Sequence, residues 1–304
     1  MKPFHAGLVH TPVTPFARDR GIDYGLYEKL IEFHLGNGAD SLALPMHAGE
    51  SVSIGDEDRK KLLEFAIAKV KGRVPVIAHV SQAGTSMAVA LARHAEQAGA
   101  AAIVAAVPYY WTPPPAMLVE HFAQIGGAVK LPFYAYNAPE EMGGVKVTTD
   151  IAVKLIERLG NFAGVVDAGL DWQFMIEVIT VARRMRPAFQ LVSGTEYMIS
   201  AGAIGCRSHY APLAGVAPKT VRQLYDVCRQ ERYQDARKPQ EAIAALRQAV
   251  KRAGVAGIKA AMRAMGRDCG DPRPPLKPLG EVEAGVIADK LAKIPALQAE
   301  PRGW

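Results

Sequence analysis

The chain has 304 residues, which suits one barrel-sized domain with a modest extension. Its hydrophobic content of 49% is ordinary for a globular protein, and no stretch is apolar for long enough to predict a membrane span. The net charge is +6, and much of the basic excess follows Arg222 without any nucleic-acid motif. We therefore expect a solvated basic helix surface and no nucleic-acid or membrane partner.

The cysteines and the N-terminal residues predict the compartment. Cys206, Cys228 and Cys269 lie far apart, with neither metal-ligand spacing nor the even number of a disulfide framework. Residues 1–5 contain no apolar run that resembles the core of a signal peptide. We therefore expect a cytoplasmic protein, and no motif in the chain predicts a cofactor or a bound metal.

Short apolar segments alternate with amphipathic segments through the first two-thirds of the chain. Helices are predicted between the apolar segments, for example at residues 24–35, 57–70 and 86–98, with Asp23 as the N-cap of the first. The apolar segments predict eight strands, at residues 8–13, 41–44, 75–80, 101–107, 132–136, 162–166, 189–193 and 205–208.

This alternation predicts the fold class. Strands that are apolar throughout are buried on both faces, so they belong to parallel βα units. Eight such units predict a (β/α)8 TIM barrel. The alternative is an open doubly wound sheet, but residues 11–16 do not resemble the glycine-rich phosphate loop that such a sheet places after its first strand.

The strand pattern stops at about residue 217. Helices are predicted at residues 219–231, 239–253, 255–265 and 282–293, with a proline-rich segment at 271–278 before the last of them. We therefore divide the chain into a barrel at residues 1–216 and a C-terminal helical extension of the same domain at residues 217–304.

Motifs at several predicted strand ends resemble those of one enzyme family. They read Thr-Pro-Phe at 14–16, Pro-Tyr-Tyr at 108–110, Tyr-Asn-Ala-Pro at 136–139, Ser-Gly at 193–194 and Arg-Pro-Pro-Leu at 273–276. In this order and at this spacing they resemble the dihydrodipicolinate synthase/N-acetylneuraminate lyase family over nearly the whole chain. The resemblance implies a barrel with its site at the C-terminal ends of the strands, and a homo-oligomer, either a dimer or a tetramer.

The resemblance fails at the residue that carries the family's usual chemistry. Members have a lysine that forms an imine with a 2-oxo acid, and Val166 stands at the matching position. A valine cannot form an imine. Lys130 precedes strand five at the wrong end of the barrel, Lys146 lies beyond the following loop, and Lys259 has the pattern of helix surface. We therefore predict that no other lysine replaces the missing one.

Other strand ends also depart from the family pattern. His47 and Ala48 replace a threonine pair whose first member relays a proton between two tyrosines in the family. Glu141 replaces an arginine that binds a substrate carboxylate, which argues against aspartate semialdehyde as a substrate. His79 replaces a glycine after strand three, and Arg207 replaces an apolar residue on strand eight.

Two tyrosines and two histidines are the candidate proton carriers. The resemblance implies acid/base roles for Tyr136 and Tyr110, and His47 and His79 at neighbouring strand ends can exchange protons near neutral pH. The alternatives are a buried structural tyrosine at 136, an aromatic at a subunit interface at 110, and a metal bound by the histidine pair.

A second group of residues is expected to bind a carboxylate. A guanidinium holds a carboxylate in a planar fork, and backbone N–H groups hold one without a side chain. The alternative for Arg207 is an internal ion pair with Glu196 or Asp167. Strand alternation predicts that Asp167 points away from Val166. The predicted substrate-binding residues are Ala48, Gly49, Gly194, Arg207, Ser208 and His209.

These features predict a lyase-like enzyme that acts on a small carboxylate-bearing substrate, such as an oxo acid, without a lysine imine. The alternative is a non-catalytic small-molecule binder on the same barrel, because the lysine, the threonine pair and the arginine are lost together. New histidines and an arginine at strand ends favour catalysis, since a relic has no need of them. An imine-forming lyase is the third hypothesis, and Val166 argues against it.

Overall fold

The computed structural model describes residues 4–304, so Met1–Pro3 of the N-terminal segment considered above lie outside the described residues. Parallel strands close into a barrel in chain order, and β1 pairs with both β2 and β8. This arrangement confirms the predicted (β/α)8 barrel. The strands are β1 Leu8–His10, β2 Ser41–Leu44, β3 Val76–His79, β4 Ala102–Ala106, β5 Phe133–Asn137, β6 Phe162–Asp167, β7 Gln190–Ser193 and β8 Ser208–Ala211.

A helix follows each strand in the chain. The predicted N-cap of the first is confirmed, because the Asp23 carboxylate accepts a hydrogen bond from the otherwise unpaired N–H of Leu26. The helices are α1 Tyr24–Gly36, α2 Asp56–Val70, α3 Thr85–Ala98, α4 Pro115–Gly127, α5 Thr149–Arg158, α6 Trp172–Met185, α7 Met198–Ala203 and α8 Pro218–Arg229.

Three further helices form most of the predicted extension: α9 Tyr233–Lys251, α10 Gly254–Ala264 and α11 Glu281–Ala292. Helix α10 contacts the short turn His47–Gly49 that follows β2, so the extension packs against the C-terminal end of the barrel. The division of the chain at residue 216 stays a prediction. Among residues 4–304, we find no helix that combines the length and the apolar character of a membrane span.

Side chains alternate along the strands between the barrel interior and the layer under the helices. The interior holds large tyrosines together with small residues such as Ala43, Ala102 and Ala106. Because the alanines leave room inside a narrow barrel, the tyrosine rings fit without opening a channel. The interior tyrosines are Tyr134, Tyr136 and Tyr210.

The last strand lies further along the chain than the sequence predicted. Residues 205–208 were expected to form it, but β8 begins only at Ser208. Gly205, with a φ of +98°, and Cys206 instead belong to the turn that ends α7, where the Cys206 N–H donates to the carbonyl of Ala201. The prediction was wrong because this glycine is needed for a left-handed turn. Residues up to 208 therefore lie at the N-terminal end of the barrel.

Candidate active site

A cavity of about 400 Å³ opens at the C-terminal ends of the strands. Its wall includes Tyr136 at the end of β5, Gly194 just after β7, and His47 and Ala48 in the turn after β2. Helix α9 and the start of α10 supply another part of the wall, including Arg247. The structure thus brings several of the predicted site residues to one cavity, and the extension completes it.

Tyr136 points into the barrel interior and is 8% exposed. It pairs across β5 and β6 with Val166, which is 1% exposed and packs in the same interior cluster. Burial raises the pKa of the Tyr136 hydroxyl, and Glu141 raises it further, whereas the positive charge of Arg247 lowers it. The hydroxyl is therefore protonated at neutral pH, and the neighbouring cation favours any negative charge that develops there.

Val166, which we predicted to stand where the family has its lysine, has an aliphatic side chain and no amine. The sequences of the described strands contain no lysine. Lys251, at the end of α9, is exposed and borders the cavity. Lys251 was not predicted to lie here, because helix α9 was expected only as part of the extension.

His47 and His79 have different surroundings. His47 is exposed in the cavity wall. His79 is 7% exposed, and its Nε2 lies 2.7 Å from the Oγ of Ser81. Burial lowers the pKa of His79 to about 3, and the charge of Arg59 contributes to the decrease. The expectation that both histidines serve one site is wrong, because His79 is a buried neutral residue that does not border the cavity.

Metal binding was the alternative for this histidine pair. Among residues 4–304, no group of three or more His, Cys, Asp or Glu side chains is arranged to hold a metal ion.

Tyr110 lies outside the cavity of its own chain. The residue is 88% exposed, and its ring contacts Trp111 edge-on with 5.0 Å between the centroids. Its φ of +76° is unusual for a residue with a large side chain. Such conformations concentrate at functional positions, so the catalytic role of Tyr110 stays a prediction.

Gly49 does not offer a free backbone donor to the cavity. Its N–H donates to the carbonyl of Met46 at 2.9 Å, and its own carbonyl accepts a hydrogen bond from Thr14 at 2.7 Å. The predicted carboxylate contact through Gly49 is therefore wrong, because the turn already uses this amide. Ala48 remains in the cavity wall.

The three substrate-binding residues predicted on β8 do not reach the mouth. Arg207 pairs with Glu231 at 3.0 Å on the protein surface, and with Ser208 it borders a different cavity at the N-terminal end of the barrel. His209 is buried beside the ring of Tyr225 on α8, and burial lowers its pKa to about 3. The prediction for all three residues was wrong because β8 begins later than expected.

Arg247 is a second cation of the cavity wall that was not predicted from the sequence. Its Nη2 pairs with Glu196, whose side chain is fully buried and also accepts a hydrogen bond from the N–H of Leu213 at 2.6 Å. The ion pair considered for Arg207 and Glu196 is thus made by Arg247. Arg247 and Lys251 are four residues apart on α9 and both border the cavity, so this helical spacing was the available signal.

Lys259 is buried, and the expectation that it lies on a helix surface was wrong. It is 2% exposed, and its Nζ lies 2.7 Å from a carboxylate oxygen of Glu50. The same ammonium lies 4.4 Å from the centre of the Phe16 ring. Because Glu50 directly follows the turn His47–Gly49, this ion pair connects α10 to the cavity wall.

Asp167 points away from the barrel interior, as strand alternation predicted. Its carboxylate accepts hydrogen bonds from the Asn137 side chain at 2.7 Å and from the N–H of Leu170 at 2.9 Å. Burial raises the pKa of Asp167 to about 6 although these hydrogen bonds oppose the increase. The residue connects the ends of β5 and β6 and does not border the cavity.

Comparisons with known proteins agree with this architecture. The sequence model of the Dihydrodipicolinate synthetase family matches residues 5–294. The chain is 32% identical to a 4-hydroxy-tetrahydrodipicolinate synthase from Nitrobacter hamburgensis over 287 residues, which cover 92% of this chain and 93% of that protein. It is 33% identical to the enzyme of the same name from Rhodopseudomonas palustris over 283 residues, which cover 91% and 92% of the two chains.

Solved structures give the same result for the fold. Dihydrodipicolinate synthase from Aquifex aeolicus is 26% identical, with a TM-score of 0.90 over 95% of this chain and 98% of that one. Chloride-inhibited dihydrodipicolinate synthase from Acinetobacter baumannii, complexed with pyruvate, is 28% identical, with a TM-score of 0.88 over 94% and 98% of the two chains.

Proposed function

We propose that this chain, which belongs to the dihydrodipicolinate synthetase family of lyases, acts on a small carboxylate-bearing substrate by acid/base chemistry without a lysine imine. One observation carries the proposal. Across β5 and β6, Tyr136 is paired with the apolar Val166, so a proton-transferring hydroxyl remains where no amine is available.

Tyr136 would transfer the proton at the reacting centre. Its buried hydroxyl is protonated at neutral pH, so it can donate a proton or a hydrogen bond to an oxygen that gains negative charge. His47 borders the same cavity and is exposed, so it can exchange protons with solvent. An imine mainly supplies an electron sink, and a hydrogen-bonding site beside a positive charge can replace part of that effect.

A 2-oxo acid is the substrate class that we favour. One solved relative is described as a complex with pyruvate, and the curated relatives are named as 4-hydroxy-tetrahydrodipicolinate synthases. Glu141 and Glu140 border the cavity of this chain, and their negative charges would repel the carboxylate of a second substrate. We therefore propose that the chain is not a dihydrodipicolinate synthase proper.

The assembly and the compartment are also part of the proposal. Tyr110 and Trp111 contact each other and are 88% and 60% exposed, so they form an apolar surface suited to a second copy of the chain. We propose a homo-oligomer, a dimer or a tetramer, in the cytoplasm. The isolated cysteines are the observation that supports the compartment.

Deuterium exchange tests for catalysis. The protein would be mixed with pyruvate or 2-oxobutyrate in deuterated water, and the hydrogens on the carbon next to the carbonyl would be followed by proton NMR. An enzyme that enolises an oxo acid exchanges these hydrogens faster than buffer does. Binding without exchange would support the alternative of a non-catalytic binder.

The alternative of a non-catalytic binder gains support from the positions of two residues. His79 is buried away from the cavity, and Arg207 lies at the opposite end of the barrel. In the sequence, both residues had favoured an enzyme over a protein that has lost its activity. The binder and the enzyme therefore differ only in what Tyr136 and His47 do to a bound ligand, which the exchange experiment measures directly.

Borohydride trapping tests the absence of an imine. The protein would be treated with pyruvate and borohydride and its intact mass measured, with an imine-forming family member as the positive control. We expect no mass gain in this chain. A reduced pyruvate adduct located on Lys251 or any other lysine would refute an imine-free mechanism.

A further inference from the structure

We propose that Arg247, together with the hydroxyls of Thr11 and Thr195, forms the site that binds the negative charge of the substrate. All three residues border the cavity at the C-terminal mouth. The inference rests on the proposed carboxylate substrate and names the residues that recognise it. It assigns this role to the helical extension, whereas the sequence had assigned it to Arg207.

The guanidinium of Arg247 is paired in the protein through one of its nitrogens and lies 5.8 Å from the centre of the Tyr197 ring. Its Nη2 pairs with Glu196. Within residues 4–304, neither Nε nor Nη1 has a hydrogen-bond acceptor in the protein. A guanidinium donates along two edges, so the unused donors remain for a carboxylate in the cavity.

Glu196 holds this arrangement in place. Its side chain is fully buried, its second oxygen accepts the N–H of Leu213, and its backbone carbonyl accepts a hydrogen bond from Gln240 on α9. A carboxylate fixed in this way restricts the rotamers of its partner before any ligand arrives. Arg247 is therefore preorganised toward the cavity, which lowers the entropy lost on binding.

Two hydroxyl groups in the same wall supply an independent observation. Thr11 is 4% exposed, and among the described residues its Oγ1 has no hydrogen-bond partner. The Oγ1 of Thr195 is likewise buried without a partner in that part of the chain. Buried hydroxyls are nearly always hydrogen-bonded, so unpartnered ones that border a cavity indicate a polar ligand.

The other charged groups of the wall orient such a ligand. Glu140 and Glu141 are negative and repel a carboxylate from the part of the wall that follows β5. Lys251 is positive but exposed, where water screens its charge. Arg247 is the better-buried cation of the two, with its side chain 23% exposed, so the carboxylate is directed toward it.

Calorimetric titration with pyruvate, 2-oxobutyrate and 2-oxoglutarate tests the site, with pyruvamide as the uncharged probe. We expect Arg247→Gln to weaken binding of the anions by about 10- to 100-fold, as for the loss of a hydrogen bond to a charged group. Arg247→Lys should restore part of the affinity, because an ammonium lacks the planar fork. Binding of pyruvamide should be weak and insensitive to both changes.

Arg252→Gln is the matched control, since Arg252 is exposed, follows directly after α9 and does not border the cavity. It should bind the anions as the unchanged protein does. If Arg247→Gln fails to fold because Glu196 is left unpaired, the double variant Arg247→Met with Glu196→Gln removes both charges and keeps the acceptor for Leu213. This variant should show the same loss of anion binding.

Two results would overturn the proposal. One is anion binding by the folded Arg247 variants that equals that of the unchanged protein. The other is an unchanged protein that binds none of the three oxo acids at millimolar concentration. Anion binding that depends on Arg247 but is accompanied by no deuterium exchange would reject the proposed catalysis and leave this site assignment intact.

Discussion

Each end of the barrel carries an arginine, but the two arginines have different surroundings. At the C-terminal end, Tyr136 and Arg247 border a cavity of about 400 Å³. At the N-terminal end, Arg207 pairs with Glu231, and the hydroxyl of Ser208 accepts the N–H of Gly7 at 3.0 Å. Polar groups at one end are thus available to a ligand, whereas those named at the other end hold parts of the protein together. This division is usual for (β/α)8 barrels.

The difference shows how strongly the start of a strand affects a site prediction. The predicted strand at 205–208 placed Arg207 near the C-terminal end, but β8 starts three residues later, at Ser208. That shift moves the guanidinium to the other end of the barrel. A residue type therefore predicts function only after its position along the strand is known.

The largest expected effect is on catalysis at the C-terminal end. Tyr136→Phe should slow deuterium exchange into an oxo acid by roughly 100-fold or more, because it removes the hydroxyl that we propose as the general acid/base and keeps the ring. Arg207→Ala, at the other end, should catalyse deuterium exchange at a rate within about twofold of that of the unchanged protein, because the Arg207 side chain contacts only surface groups. Equal losses in the two variants would contradict the functional division between the ends.

The buried ion pair at the C-terminal end should matter most for stability. Lys259→Met leaves Glu50 buried without its cation, so we expect the free energy of unfolding in urea to fall by about 3–5 kcal/mol. The double variant with Glu50→Gln should recover much of the loss, because the amide oxygen still accepts the N–H of Arg273. A single variant as stable as the unchanged protein would show that the pair is not buried as described.

Packing near the start of β6 gives a test with a matched control. A methyl group at Gly164 would overlap the carbonyl of Gln190 on β7, so Gly164→Ala should lower the free energy of unfolding by about 1–3 kcal/mol. A methyl group at Gly160 would contact no other atom, so Gly160→Ala should change the free energy of unfolding by less than about 0.5 kcal/mol. The folded fraction of each variant should keep its exchange activity, because neither residue borders the cavity.

The buried histidines predict acid sensitivity. The pKa of His209 is about 3 in the folded protein against 6.5 when unperturbed, so the unfolded chain takes up its proton first as the pH falls. The contribution of neutral His209 to the free energy of unfolding is therefore fully present well above pH 6.5 and is lost as the pH falls below that value. The loss amounts to about 2 kcal/mol at pH 5. Unfolding measured from pH 7 to pH 5 should show a smaller decrease in His209→Phe. An unchanged slope would mean that His209 is charged when folded.

The smallest effect is expected at the surface of the N-terminal end. Arg207→Ala removes an ion pair whose side chains are 49% and 61% exposed, so the free energy of unfolding should change by about 0–1 kcal/mol. Urea unfolding at low and at high salt measures it. A loss comparable to that of Lys259→Met would show that exposure does not distinguish the two pairs.

Local sequence patterns predicted the fold class and part of the site. Apolar segments and helical periodicity identified the positions of β1 to β7 and the N-cap at Asp23, because these features depend on near neighbours in the chain. Motifs at strand ends predicted that Tyr136 and His47 lie at the mouth of the barrel, and both border the cavity there. The identity of Val166 came directly from the sequence.

Only the tertiary structure decided which charges belong to the cavity. Arg247 meets Glu196 from a helix 51 residues away in the chain, and Lys259 meets Glu50 across the junction of extension and barrel. His209 on β8 pairs with Leu8 on β1, which closes the barrel. These contacts join distant parts of the chain, so no local pattern specifies them; they form because burial disfavours a charge that lacks a partner.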